Sequence, residues 1–96
     1  MDYNRGTKVM VEKDVVVNSD AGIHARPAMM IVREAMKYPC EVMLIKDNVE
    51  ADAKSIMSVL GLAIISGSKL TIRAHGEGET ELVEYLINLI EKDFRV

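Results

Sequence analysis

The chain has 96 residues, enough for one domain with one core and too few for two of ordinary size. Hydrophobic residues make up 49% and charged residues 28%, so apolar burial can offset the ordering entropy, which excludes a disordered or collagen-like chain. Twelve Lys+Arg against fifteen Asp+Glu give a formal charge of -3, which leaves no basic field for nonspecific binding to nucleic acid, and no apolar run approaches the roughly 20 residues of a membrane span.

Residues 1–10 form an expected N-terminal extension, since Asp2, Asn4, Arg5, Gly6 and Lys8 bring little apolar content and no signal-peptide pattern. The folded domain is expected over 11–96. Residues 11–18 carry the β-branched run Val15, Val16 and Val17 and predict a strand that ends at the turn formers Asn18, Ser19 and Asp20. Residues 27–37 place Ala28, Ile31, Val32, Ala35 and Met36 at helical spacing, with Pro27 expected at the first helical position. Residues 41–46 and 49–53 flank Asp47 and Asn48 and read as a hairpin, its turn type left open because neither turn former precedes a glycine. Ser55 is an expected N-cap for a short helix containing Ile56, Met57, Val59 and Leu60, which Gly61 weakens before a turn at Gly67. Residues 69–75 alternate, with Leu70, Ile72 and Ala74 on one face and Lys69, Thr71, Arg73 and His75 on the other, wet one. Beyond Gly76 and Gly78, residues 79–94 put Leu82, Val83, Leu86, Leu89, Ile90 and Phe94 at helical spacing, with Glu79 and Glu81 in the first turn. The order β-α-β-β-α-β-α predicts an α+β fold, a four-stranded, mainly antiparallel sheet with three helices packed on one face.

The most informative stretch for chemistry is Gly22-Ile23-His24-Ala25-Arg26-Pro27-Ala28, which sets a histidine and an arginine at a helix start. A helix N-terminus offers unpaired N–H groups and positive potential, so an anion beside His24 would be held by the free amides of the helix start that Ala25 and Pro27 mark and by the Arg26 guanidinium. Phosphate fits such a site, and a neutral imidazole is a competent nucleophile toward a phosphoryl donor. Taken singly, each residue has an ordinary reading as well: His24 a loop histidine, Arg26 a surface cation, Ser55 a plain cap. His75 reads as a surface residue, Cys40 as a small buried or edge residue, and the run Glu77, Glu79, Glu81 and Glu84 as a solvated helix start. His24, His75 and Cys40 lack any metal-ligand spacing, so no metal and no cofactor are expected. The single cysteine permits no internal disulfide, which agrees with a reducing, cytoplasmic setting.

The segment 22–28 resembles the active-site motif of HPr, the histidine-containing phosphocarrier family of the bacterial sugar phosphotransferase system. Ala53-Lys54-Ser55-Ile56-Met57-Ser58-Val59 resembles the regulatory serine segment of family members from bacteria with an HPr kinase, and the likeness runs over about residues 11–94 at the family's spacing. The resemblance implies that His24 accepts a phosphoryl group on Nδ1 from phosphorylated enzyme I and passes it to enzyme IIA proteins, with Arg26 stabilising the transferring phosphate. It implies a carrier component rather than a stand-alone turnover enzyme. It also implies that an HPr kinase/phosphorylase modifies Ser55, that a catabolite-control transcription regulator is a further partner, and that Ile56, Met57 and Leu60 dock partners. An alternative is a regulatory binding module that works through phospho-Ser55 with little part in sugar transport, as in related proteins without the histidine. The segment from Lys54 to Met57 argues against a third, nitrogen-system paralogue. Three departures stand out: Ala21 replaces a Ser or Asn, Ala63 replaces a usual Gly, and the N-terminus is about nine residues longer than in a typical member.

Overall fold

A computed structural model describes residues 10–95; residues 1–9, and with them nearly all of the expected extension, lie outside the described residues. The element order is β1 Val11–Val16, α1 Ala25–Ala35, β2 Glu41–Lys46, β3 Val49–Asp52, α2 Ile56–Gly61, β4 Lys69–His75 and α3 Glu79–Glu91. The strands form one sheet in the order β1-β4-β2-β3, and every pairing is antiparallel. Strand alternation separates two faces. Val15, Val42, Leu44, Ala51, Leu70, Ile72 and Ala74 point to the helices, where they join Ala28, Ile31, Ala35, Val59, Leu82, Val83 and Leu86 in one core. The α+β architecture with three helices on one face is the one its periodicities predict.

The other face stays open and carries charge. The Arg73 guanidinium reaches Glu12 on β1 at 3.1 Å and Glu50 on β3 at 3.0 Å, so one side chain spans the sheet from edge to edge. Thr71 Oγ1 donates to Asp14 at 2.6 Å, and that bond, with Lys69 at 3.5 Å, holds the Asp14 carboxyl below its ordinary range. Exposed pairs of this kind contribute little stability; their effect is to keep this face solvated and the edge strands in register.

Several boundaries move for identifiable reasons. β1 ends at Val16 rather than at Asn18, and Val17 is buried and bonded outside the ladder, its N–H to Ser68 O at 2.9 Å and its carbonyl to Gly67 N at 2.7 Å. The Asp47-Asn48 turn, open in the sequence, has positive φ at both residues (52° and 66°), the geometry of a type I′ hairpin. Helix α3 stops at Glu91 instead of running through Phe94. Asp93 and Phe94 take left-handed φ, their N–H groups donate to Ile90 O at 3.0 Å and Leu89 O at 2.8 Å, and this reversal turns the Phe94 ring back into the core. Glu79 also departs from the solvated acidic run expected of it: it is buried, because its carboxylate accepts the Gly76 N–H at 2.8 Å and closes the turn before α3.

Ala63 follows the C-cap of α2 at φ +52°, a conformation that costs an alanine about 1–2 kcal/mol and a glycine almost nothing. Glycine would give back about 0.5–1 kcal/mol to the unfolded chain, so the net effect of Ala63→Gly is a gain of about 0.5–1 kcal/mol. Thermal unfolding should show a midpoint about 3–6 °C higher, and a lower one would mean that the methyl group packs usefully there.

Candidate active site

The site is built from the turn that feeds α1. Gly22 sits at φ +67°, its N–H donates to Ser19 O at 3.0 Å, and a side chain at this position would run into the Ile64 carbonyl and come within 2.9 Å of Ile65 Cα. Ile23 is buried, and its N–H donates to Ile64 O at 2.9 Å. Pro27 and Ala28 are buried as well. The chain is thus fastened on both sides of the three exposed residues His24, Ala25 and Arg26.

Helix α1 begins two residues earlier than its proline suggests. His24 is the N-cap, with extended backbone (φ -110°, ψ -161°), and its carbonyl accepts the Ala28 N–H at 2.9 Å, the first bond of the helix. Pro27 is therefore the third helical residue, where its missing N–H still falls among those without an intrahelical acceptor. The imidazole is exposed and makes no capping bond to its helix. The amides of Ala25 and Arg26 precede the first intrahelical donor and face the same end.

The electrostatics at the start of this helix run against stability. α1 has no acidic residue in its first turn and carries Arg26 there, although a cation at the positive end of a helix is unfavourable by about 0.3–1 kcal/mol. An anion set among the two amides, the helix end and the guanidinium would turn that conflict into attraction.

Ser55 begins the neighbouring helix. It is half-buried, its Oγ accepts the Ser58 N–H at 3.3 Å, and its own N–H donates to Asp52 O at 3.0 Å. The plain cap read from sequence is thus present in the structure. Behind it, Lys54 donates from Nζ to Tyr38 O at 2.6 Å, just past the end of α1, while its N–H donates to Asp52 Oδ1 at 2.9 Å. Sequence reasoning used Lys54 only as part of a motif and gave no role to Lys46, whose Nζ reaches Leu62 O at 3.3 Å beyond α2. Both contacts join residues sixteen apart, and no local signal could have foretold them.

Helices α1 and α2 pack on each other, so His24 and Ser55 belong to one two-helix layer, each at the start of its own helix. The three expected docking residues divide. Met57 is 76% and Leu60 37% exposed, while Ile56 is half-buried and packs against the core, because the first turn of a six-residue helix must anchor it. Ile65 and Met29 are exposed too, although sequence reasoning did not single them out. Cys40 is buried, and desolvation pushes its thiol up. His75 is half-buried beside Arg73, Glu50 and Asp52 in a groove of about 550 Å³. None of His24, Arg26 and Ser55 lines that groove. Among the described residues no three His, Cys, Asp or Glu side chains are placed to hold a metal ion, and no helix is long and apolar enough to cross a membrane.

Fold and site together define a class: a small open-faced β-α-β-β-α-β-α sandwich that presents an unengaged histidine at its first helix start. The family model described as the PTS HPr component phosphorylation site matches residues 11–92, and the chain belongs to the HPr family. It is 45% identical over 84 residues to the HPr-like protein Crh of Halalkalibacterium halodurans, covering 88% of this chain and 100% of that one. It is 38% identical over 85 residues to the phosphocarrier protein HPr of Treponema pallidum, covering 88% and 97%. The crystal structure of a phosphocarrier protein HPr from Bacillus anthracis superposes with a TM-score of 0.81 at 38% identity, covering 84% of this chain and 96% of that one.

Proposed function

We propose that this protein is a phosphocarrier whose His24 accepts a phosphoryl group from phosphorylated enzyme I and hands it to enzyme IIA proteins. An imidazole nitrogen attacks phosphorus, the N–P bond forms as the bond from phosphorus to the donor breaks, and the reverse displacement releases the group to the next acceptor. Arg26 and the amides of Ala25 and Arg26 stabilise the charge on the equatorial oxygens while the group is in flight. Met57 and Leu60, with Ile56 beneath them, form the apolar part of the docking surface. The observation that carries this reading is the exposed, unengaged imidazole of His24 beside a cation that helix stability alone would not favour.

Regulation enters at Ser55. Phosphorylation there by an HPr kinase/phosphorylase adds about 1.5–2 negative charges beside the docking face, which opposes the approach of a phosphorylated donor. The likeness to HPr-like protein Crh, and to a solved protein described as the Bacillus subtilis catabolite repression HPr, favours a second reading. In it phospho-Ser55 is the working state, a catabolite-control transcription regulator is its reader, and transfer through His24 is minor. Intact mass after incubation with phosphoenolpyruvate and enzyme I separates the two. We expect one acid-labile phosphoryl group on the wild type and none on His24→Ala. If the wild type gains none, while ATP and an HPr kinase modify it and leave Ser55→Ala untouched, the regulatory reading replaces the carrier.

A further inference from the structure

Sulfur is unevenly distributed over this molecule. The single thiol, Cys40, is 2% exposed, and burial raises its pKa, so it offers solvent almost no thiolate. Three thioethers stand on the outside of the α1–α2 layer: Met29 is 45% exposed, Met36 64%, and Met57 more than either. An oxidant ordinarily finds an exposed, low-pKa thiolate first. In this chain it meets methionines, and Met57 stands beside exposed Leu60, two residues after Ser55.

We propose that Met57 is a reversible oxidation site through which peroxide controls docking at His24; the inference rests on the docking surface proposed above. The sulfur lone pair attacks one oxygen of hydrogen peroxide, an S–O bond forms as the O–O bond breaks, and the departing hydroxide takes the proton from the new S–OH group and leaves as water, which gives the sulfoxide. Sulfur is oxidised by two electrons and peroxide is reduced by two. The product replaces a soft apolar tip with a strongly polar sulfoxide. A partner that covers Met57 and Leu60 with apolar surface would then bury an unpaired oxygen, and docking weakens. Met36 is the internal control. It is the C-cap of α1, about 18 Å along the helix from His24, so its oxidation lies away from the transfer site.

The test treats the full chain with hydrogen peroxide, locates the added oxygen by peptide mass, and measures the rate of phosphoryl acceptance from phosphoenolpyruvate and enzyme I. We expect oxygen at Met57 and a rate about tenfold lower, the effect of burying one unpartnered polar group. Met57→Leu should keep its untreated rate after the same exposure, and methionine sulfoxide reductase should restore the wild type. The proposal is overturned if Met57 sulfoxide forms without loss of rate, if Met57 resists oxidation while Met36 yields, or if Met57→Leu slows as much as the wild type. An untreated wild type that accepts no phosphoryl group overturns the carrier reading and this proposal together, whereas the other three outcomes leave the carrier reading standing.

Discussion

Gly22→Ala should destabilise the domain by about 3 kcal/mol and remove most phosphoryl acceptance at His24 while the protein is still folded. The left-handed backbone alone costs an alanine about 1–2 kcal/mol, and forcing its methyl group against the Ile64 carbonyl and Ile65 Cα adds about 1–3 kcal/mol of overpacking. The gain from a stiffer unfolded chain, about 0.4–1 kcal/mol, is too small to offset these. Relief requires the turn to lift away from residues 64 and 65, which breaks the Ile23 N–H bond to Ile64 O and tilts the N-cap that holds His24. Gly67→Ala is the matched control. Its φ is +88° and no atom lies within 4 Å of an added Cβ. It should lose only the backbone share, about 1–2 kcal/mol, with His24 chemistry unchanged. Thermal midpoints and single-turnover phosphorylation of both variants decide the matter. Equal losses of phosphorylation in the two would mean that packing at Gly22 does not position the histidine.

Arg26→Ala should lower the rate of phosphoryl acceptance about 100-fold, in the range seen when one preorganised donor to a developing oxyanion is removed. Stability should hardly move, within about 0.5 kcal/mol, and any change should be a gain. The sign follows from the helix dipole: Arg26 is exposed and stands at the positive end of α1, so its removal relieves a repulsion. Arg26→Lys keeps the charge but loses the planar fork that can hold two phosphate oxygens, and should fall between the wild type and the alanine variant. Rate and melting midpoint together give the readout. A large fall in the midpoint would identify Arg26 as a structural residue, and an unchanged rate would remove it from the site.

How far the sequence reaches can be judged residue by residue. Every element appears in the predicted order, because each rests on a periodicity that one buried face imposes: Leu70, Ile72 and Ala74 at every second position, and Ile31 and Ala35 one helical turn apart. Ends were less legible. Pro27 suggested the first helical position, but a proline is tolerated anywhere in the first turn, where an N–H would find no intrahelical acceptor and its absence costs nothing, so its fixed φ could not say which of those positions it fills. Phe94 matched the helical spacing of α3 and is indeed buried, yet it arrives by a chain reversal rather than on the helix. Spacing records only that a side chain is buried, and two backbone routes satisfied it. Ile56 was read as a docking residue and is partly spent on the core, since a six-residue helix has too few apolar positions to serve both sides.

Local pattern along the chain is enough for the fold class, the one-sided faces, the Ser55 cap and the coincidence of His24 and Arg26 at a helix start, because each depends on residues within a few positions of one another. Long-range packing sets the rest: Ile64 against Gly22 and Ile23 holds that start in place, while Lys54 on Tyr38 and Lys46 on Leu62 fasten the far ends of α1 and α2. It also decided which sulfur atoms meet solvent and that Glu79 is buried. These contacts join residues far apart in the chain, and their existence follows from the packing of α1 and α2 over the sheet, a relation that no local pattern of side chains encodes.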